Sequence, residues 1–276
     1  MFFFKLLSYL PLRVLYILSD LVYPIVWKWI GYRKEVIHQN IENAFPEKSE
    51  SERSQIIAMF QRNLLDFIVE TIKLMTISKE ELNSRLSVSN PEVILDYFNN
   101  NQSMLLTASH QFNWEWMVTF GRTTLGYPFT SVYRPLRDNF FDRLAIVIRT
   151  RFGGKLITSD ELIEDLKNNP ESTAYSMVMD HVTSKHHYWT TFLSQETLFD
   201  TSIDYLAKTL DMPVVYPKLQ KVKRGFYSVE LIPIGEPPYE QGLTLLPRFI
   251  EEIEKSIREQ PETWLWSHRR WKYKRI

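Results

Sequence analysis

Ser103-Met-Leu-Leu-Thr-Ala-Ser-His110-Gln-Phe-Asn-Trp-Glu115-Trp116 is a short apolar run that breaks into a polar turn and restarts with a new period. An apolar stretch of that length bounded by turn signals reads as a buried strand, Ser103 to Ser109, and the residues after it read as a helix from Asn113 to Thr124. Strand, turn and helix together are the repeating unit of an α/β layer fold, whose ligands sit in the crevice beyond the strand ends. His110 falls at such an end, and Glu115 in the first turn of the helix. A neutral imidazole accepts a proton from an alcohol near pH 7, and an adjacent carboxylate fixes its tautomer and stabilises the imidazolium that forms. His110 and Glu115 are therefore the candidate catalytic pair, in a form that suits acyl transfer to a hydroxyl. A histidine that caps a strand by hydrogen bonding is the other reading of the same spacing.

Working outward, strand-like runs recur at Phe129 to Tyr133, Ser172 to Met179, Val214 to Leu219 and Phe226 to Pro233. Helical stretches alternate with them at Asp138 to Phe152, Ser159 to Lys167, Thr201 to Leu210 and Leu243 to Glu259. Upstream, Ser49-x-x-Glu52 is a capping-box pattern, and Ile56, Phe60, Leu64, Ile68 and Ile72 follow at intervals of four, predicting a helix from Ser49 to Thr76. The fold class expected is α/β, a mixed central sheet flanked by helices, with an N-terminal membrane-docking helical region.

That region is the first thirty residues, apolar and aromatic but interrupted by Lys5, Arg13, Asp20 and Lys28, so there is no uncharged run of about 20 residues for a simple span. At 3.6 residues per turn the four charges fall within an arc of about 140°, a polar stripe that lets the other face lie in a membrane interface, with bends at Pro11 and Pro24. Packing of the same amphipathic helix on the domain is the alternative. The expected division is a membrane-associating segment over 1–30 and one catalytic domain over 31–276. The 276 residues, 44% of them hydrophobic, suffice for such a core.

Lys plus Arg and Asp plus Glu balance at 33 each, which gives no reason to expect nucleic acid as partner. With no cysteine, thiol nucleophiles and disulfides are excluded. The sequence also lacks Gly-x-Ser-x-Gly, Gly-x-x-x-x-Gly-Lys, Gly-x-Gly-x-x-Gly and His-Glu-x-x-His. His181, His186 and His187 near Asp180 fit no usual zinc spacing, so neither a metal nor a cofactor is expected. Two basic groups remain. Tyr133, Arg134 and Arg137 follow a strand, and Arg149 and Arg151 end the next helix, where guanidinium groups can hold a phosphate bidentately or form surface salt bridges. The tail from Trp264 to Ile276 interleaves Arg269, Arg270, Lys272, Lys274 and Arg275 with tryptophans, the makings of an anionic-lipid patch, although core packing serves the tryptophans equally well.

The order of several blocks resembles the bacterial lipid A late acyltransferases, the lauroyl and myristoyl transferases of the lysophospholipid acyltransferase superfamily. They are Arg33 to Ile37, Asn40-Ile41, Ala44-Phe45-Pro46, His110 to Glu115, Tyr133-Arg134-Pro135, Arg151 to Gly154, Asp180-His181, Leu206-Ala207, Pro213 to Val215 and Pro261 to Trp271. The resemblance implies an acyl-carrier-protein thioester as donor, a phosphorylated lipid such as a lipid A precursor as acceptor, and direct transfer with His110 as general base and Glu115 as its partner. It implies a substrate-binding role for Arg134 and a site-lining role for Asp180; Asn113, Tyr133, Arg137 and Arg151 are the further candidate substrate contacts. It also implies attachment to the cytoplasmic face of the bacterial inner membrane. Acylation of another lipid such as an aminolipid, a thioesterase, and a catalytically silent lipid-binding protein of the same fold are the alternatives. His181-Val182-Thr183 and Lys185-His186-His187 depart from the family's common pattern after the aspartate.

Overall fold

The computed structural model describes residues 2–169, 171–182 and 187–275. The chain begins with helices α1 (Phe2–Ser8) and α2 (Leu12–Pro24), the latter running on into a π-helical turn (Ile25–Ile30). Gly31, at φ 66°, ends that turn in the left-handed conformation that a glycine adopts without steric cost. Helices α3 (Lys34–Ala44) and α4 (Glu50–Lys73) follow. The predicted capping box is present, with Ser49 accepting from Glu52 N and Glu52 reaching back to Ser49 N. Then come α5 (Lys79–Arg85), β1 (Leu86–Val88) and α6 (Glu92–Asn99).

The α/β part runs β2 (Met104–Ala108), α7 (Trp114–Leu125), β3 (Phe129–Tyr133), α8 (Asn139–Thr150), β4 (Lys155–Thr158), α9 (Leu162–Asn168) and β5 (Ala174–Val178). A hairpin of β6 (His187–Phe192) and β7 (Gln195–Asp200) precedes α10 (Ser202–Leu210), β8 (Val214–Lys223), β9 (Phe226–Gly235), α11 (Leu245–Glu259) and a 3₁₀ turn (Pro261–Thr263). Seven strands form one sheet in the order β1-β9-β8-β2-β5-β3-β4. It is mostly parallel: β8, β2, β5, β3 and β4 run together, and β9 and β1 run opposite to them. The C-terminal ends of β2, β5 and β3 therefore share one edge.

Alternation along β2 divides the core. Leu105 joins the cluster formed with α3, the first half of α4, α10 and α11, while Met104, Leu106 and Ala108 join the one formed with α2, α5, α6, α7 and α8. Such two-sided burial explains why β2 reads as an unbroken apolar run rather than an alternating one.

The N-terminal helices are fastened to α4. Leu12 and Leu15 are buried against it, Lys73 Nζ donates to the carbonyls of Ser8 and Leu10, and Tyr16 donates to Glu70. Arg224 clamps Asp66 on α4 and Asp20 on α2 together. Their other face carries Phe2, Phe3, Leu6, Tyr9, Ile17 and Leu21 exposed, followed by Trp29. Among the described residues no single helix is long and apolar enough to cross a membrane; Phe2–Ser8 and Leu12–Ile30 reach that length only together, across a bend of 118°.

Candidate active site

The loop after β2 is held at both ends. Gln111 pairs with Trp264 in an isolated bridge, Phe112 N donates to Thr263 O, and Leu265 N donates to His110 O. Buried Asn113 caps α7, its Oδ1 accepting from Trp116 N at 3.1 Å while its Nδ2 donates to Glu70 Oε2 at 2.8 Å. Both ends of its amide are thus used inside the fold.

Beyond the neighbouring strand β5 stands Asp180, fully buried. Its Oδ1 lies 2.6 Å from His110 Nδ1, and its Oδ2 accepts from His110 N at 3.1 Å and from Trp264 Nε1 at 2.8 Å. Burial alone would raise the carboxyl, but its charge interaction with the neighbouring His110 and the donors around it from His110 and Trp264 hold it well below the ordinary carboxylate range. An ionised Asp180 can only accept, so His110 donates through Nδ1, and in the neutral imidazole the lone pair is then the one on Nε2. The His110 side chain remains 22% exposed, and Nε2 has no hydrogen-bond partner among the described residues. Trp114 meets the imidazole edge-on at 5.1 Å, and the ring of His181 lies over it at 4.1 Å.

Glu115 does not make the contact expected from its spacing. Helix α7 carries it toward α8, where it receives Arg149 Nε at 2.9 Å and Arg149 Nη2 at 2.6 Å, with Trp114 Nε1 at 3.0 Å. Burial pushes its carboxyl up, and the Arg149 charge and donors outweigh that and bring it below the ordinary value. Glu115 thus reaches His110 through Trp114 and through its charge, and the partner that hydrogen-bonds the imidazole is Asp180, expected only to line the site.

The remaining candidates divide. Tyr133 ends β3, half-buried, on the strand edge that carries His110 and Asp180. Arg134 and Arg137 follow it, exposed and without a hydrogen bond or ion pair among the described residues. Arg151 is occupied, its Nη1 donating to Leu74 O at 2.8 Å and its guanidinium lying 4.6 Å from the Phe152 ring. That tether to the end of α4 argues for a structural part. In the tail, Trp264 and Trp266 are core residues, leaving Arg269, Lys272, Lys274 and Arg275 exposed. Thr183, Lys185 and His186 lie outside the described residues.

Donor atoms of His110, Asp180 and His181 lie within 4.8 Å of one another. The two imidazoles are stacked, with only 14° between their planes.

A histidine held by a buried aspartate, with one nitrogen open at the edge of a mostly parallel sheet, defines a site able to take a proton from a bound hydroxyl. The chain belongs to the bacterial lipid A biosynthesis acyltransferase family, whose model matches residues 1–273. It is similar to the lipid A biosynthesis lauroyltransferase of Escherichia coli (strain K12), with 24% identity over 96% of this chain and 91% of that protein. It is also similar to the lipid A biosynthesis acyltransferase of Haemophilus influenzae (strain ATCC 51907 / DSM 11121 / KW20 / Rd), with 23% identity over 96% of this chain and 84% of that one.

Proposed function

We propose that the chain is an O-acyltransferase that moves a fatty acyl group from an acyl-carrier-protein thioester to a hydroxyl of a lipid A precursor. The observation that carries this reading is the His110–Asp180 pair at 2.6 Å, with Nε2 left open. Nε2 removes the proton of the acceptor hydroxyl as its oxygen attacks the thioester carbonyl, and Asp180 stabilises the imidazolium. Collapse of the tetrahedral intermediate breaks the carbon–sulfur bond. The leaving thiolate takes the proton back from Nε2, so that an ester and a free thiol are produced and His110 is restored. Arg134 and Arg137, beside Tyr133 and without an ion pair among the described residues, supply the charge that receives a phosphate of the acceptor.

The exposed apolar face of α1 and α2 supports docking on the cytoplasmic side of the inner membrane, where the lipid acceptor is reached. No cofactor is needed for this chemistry. Transfer of a radiolabelled acyl group from acyl carrier protein to a lipid A precursor by wild type and His110→Ala tests the reading. Loss of transfer in the folded variant is expected, with a decrease on the order of 10²-fold or more. Near-normal turnover by folded His110→Ala would favour a lipid-binding protein whose histidine does no chemistry.

A further inference from the structure

The face of His110 is covered by a column of two further histidines. His181 stacks on His110 at 4.1 Å and 14°, and His268, from the segment after the 3₁₀ turn, stacks on His181 at 3.8 Å and 19°. We propose that His181 is a positioning residue for the transfer reaction, its ring serving as a flat plate that fixes the plane of the His110 imidazole. This inference rests on the reading of His110 as the base.

The hydrogen bond from Nδ1 to Asp180 holds one point of the His110 ring but leaves it able to rock about that axis, and with it the direction of the Nε2 lone pair. Trp114 bounds the ring edge-on and His181 bounds it face-on, so the two contacts together restrict that motion. A near-attack geometry is sensitive to such placement, because reacting atoms must be aligned at about 3–3.5 Å.

His181 is suited to the part because it stays uncharged. Asp180, at 4.0 Å, favours its protonation, while His110, His268 and Arg270 oppose it; Glu115 is the other carboxylate whose charge reaches His110. Burial is the largest influence on His181 and pushes it well below the ordinary histidine value, and burial likewise brings His268 down to about 4. The buried Nε2 of His181 has no hydrogen-bond partner among the described residues, a position that would leave an imidazolium N–H unsatisfied. A neutral π-face over His110 also favours the imidazolium that forms there, as a cation over an aromatic ring.

The test compares His181→Ala with His181→Phe, which keeps a flat ring and removes both nitrogens. Initial rates with acyl carrier protein thioester and lipid A precursor are measured as kcat and as KM for each substrate, beside thermal melts. For His181→Ala kcat is expected to fall about tenfold with both KM values unchanged, and for His181→Phe to return within about threefold of wild type. If His181→Ala melts early, His181→Leu, which fills the space without a plane, takes its place in the comparison. A normal kcat in the Ala or Leu variant overturns the inference, as does a Phe variant no better than either, which would assign the role to a nitrogen. His110→Ala is run in the same assay: if it too is active, the reading of His110 as base fails, and if it alone is inactive, only the part given to His181 fails.

Discussion

Arg149 on α8 holds Glu115 on α7 through two hydrogen bonds of 2.9 and 2.6 Å, and Glu115 is only 7% exposed. Neutralising one partner strands the other charge in a buried position, which costs about 3–5 kcal/mol, whereas removing both with apolar residues of similar size is far less damaging. Glu115→Gln and Arg149→Met are therefore each expected to lower the urea midpoint strongly, and the Glu115→Leu, Arg149→Met double variant to recover part of it. Equal stability of wild type and both single variants would mean that the pair does not hold α7 to α8.

Glu70 gives a pH dependence of the opposite sign to an ordinary ion pair. Burial raises its carboxyl above the usual 4.5, against the hydrogen bonds of Tyr16, Tyr227 and Asn113. A raised folded value means that the contribution to stability is fully present below the unfolded value and is lost as pH rises through the folded one. Glu70→Gln mimics the protonated carboxyl, its amide able to face the Tyr16 hydroxyl. The difference in melting temperature, variant minus wild type, should therefore grow as pH is raised from 4.5 toward 8, and a flat difference would place no protonated carboxyl there.

The N-terminal helices are both core and surface, and substitutions separate the two. Deletion of residues 1–30 uncovers the α4 face that Leu12 and Leu15 cover, and aggregation is expected. Replacing the exposed Phe3, Leu6, Ile17 and Trp29 by serine leaves that packing intact. Co-sedimentation with vesicles of phosphatidylethanolamine and phosphatidylglycerol should then fall at least tenfold with the melting temperature kept, and unchanged binding would assign attachment elsewhere, first to the exposed basic residues of the tail.

Arg134 is expected to act on binding. Loss of its bidentate fork in Arg134→Lys should raise KM for the phosphorylated acceptor with kcat near normal, and Arg134→Ala should raise it further. Unaltered apparent affinities for both substrates in Arg134→Ala would exclude the phosphate contact.

Much of this was legible in local sequence. The capping box at Ser49 and Glu52, the strand from Met104 to Ala108 and helix α7 all declare themselves through short-range patterns, and they place His110 on the strand edge where the structure has it. What could not be read is partnership across the sheet. Asp180 meets His110 because β5 lies beside β2, although β3, β4 and three helices separate them along the chain. Glu115, closer in sequence, is rotated to α8 by the helix that Asn113 caps. The hairpin of β6 and β7 was equally silent: its two-residue turn is Leu193-Ser194, both at positive φ, where asparagine and glycine would have announced it. The N-terminal thirty residues were open to two readings from sequence, an interface helix or a helix packed on the domain, and in the structure α1 and α2 pack on α4, with Asp20 tied to Arg224.

In the proposed reaction Asp180, through the Nδ1 it holds, makes His110 a base. The direct measurement is kcat of folded Asp180→Asn for transfer from acyl carrier protein to a lipid A precursor. An asparagine there can still hydrogen-bond, but it cannot stabilise the imidazolium by charge and permits the tautomer with the proton on Nε2. A fall in kcat on the order of 10²-fold or more, with KM little changed, is the predicted result. Turnover within a few-fold of wild type in a correctly folded Asp180→Asn protein would contradict the account.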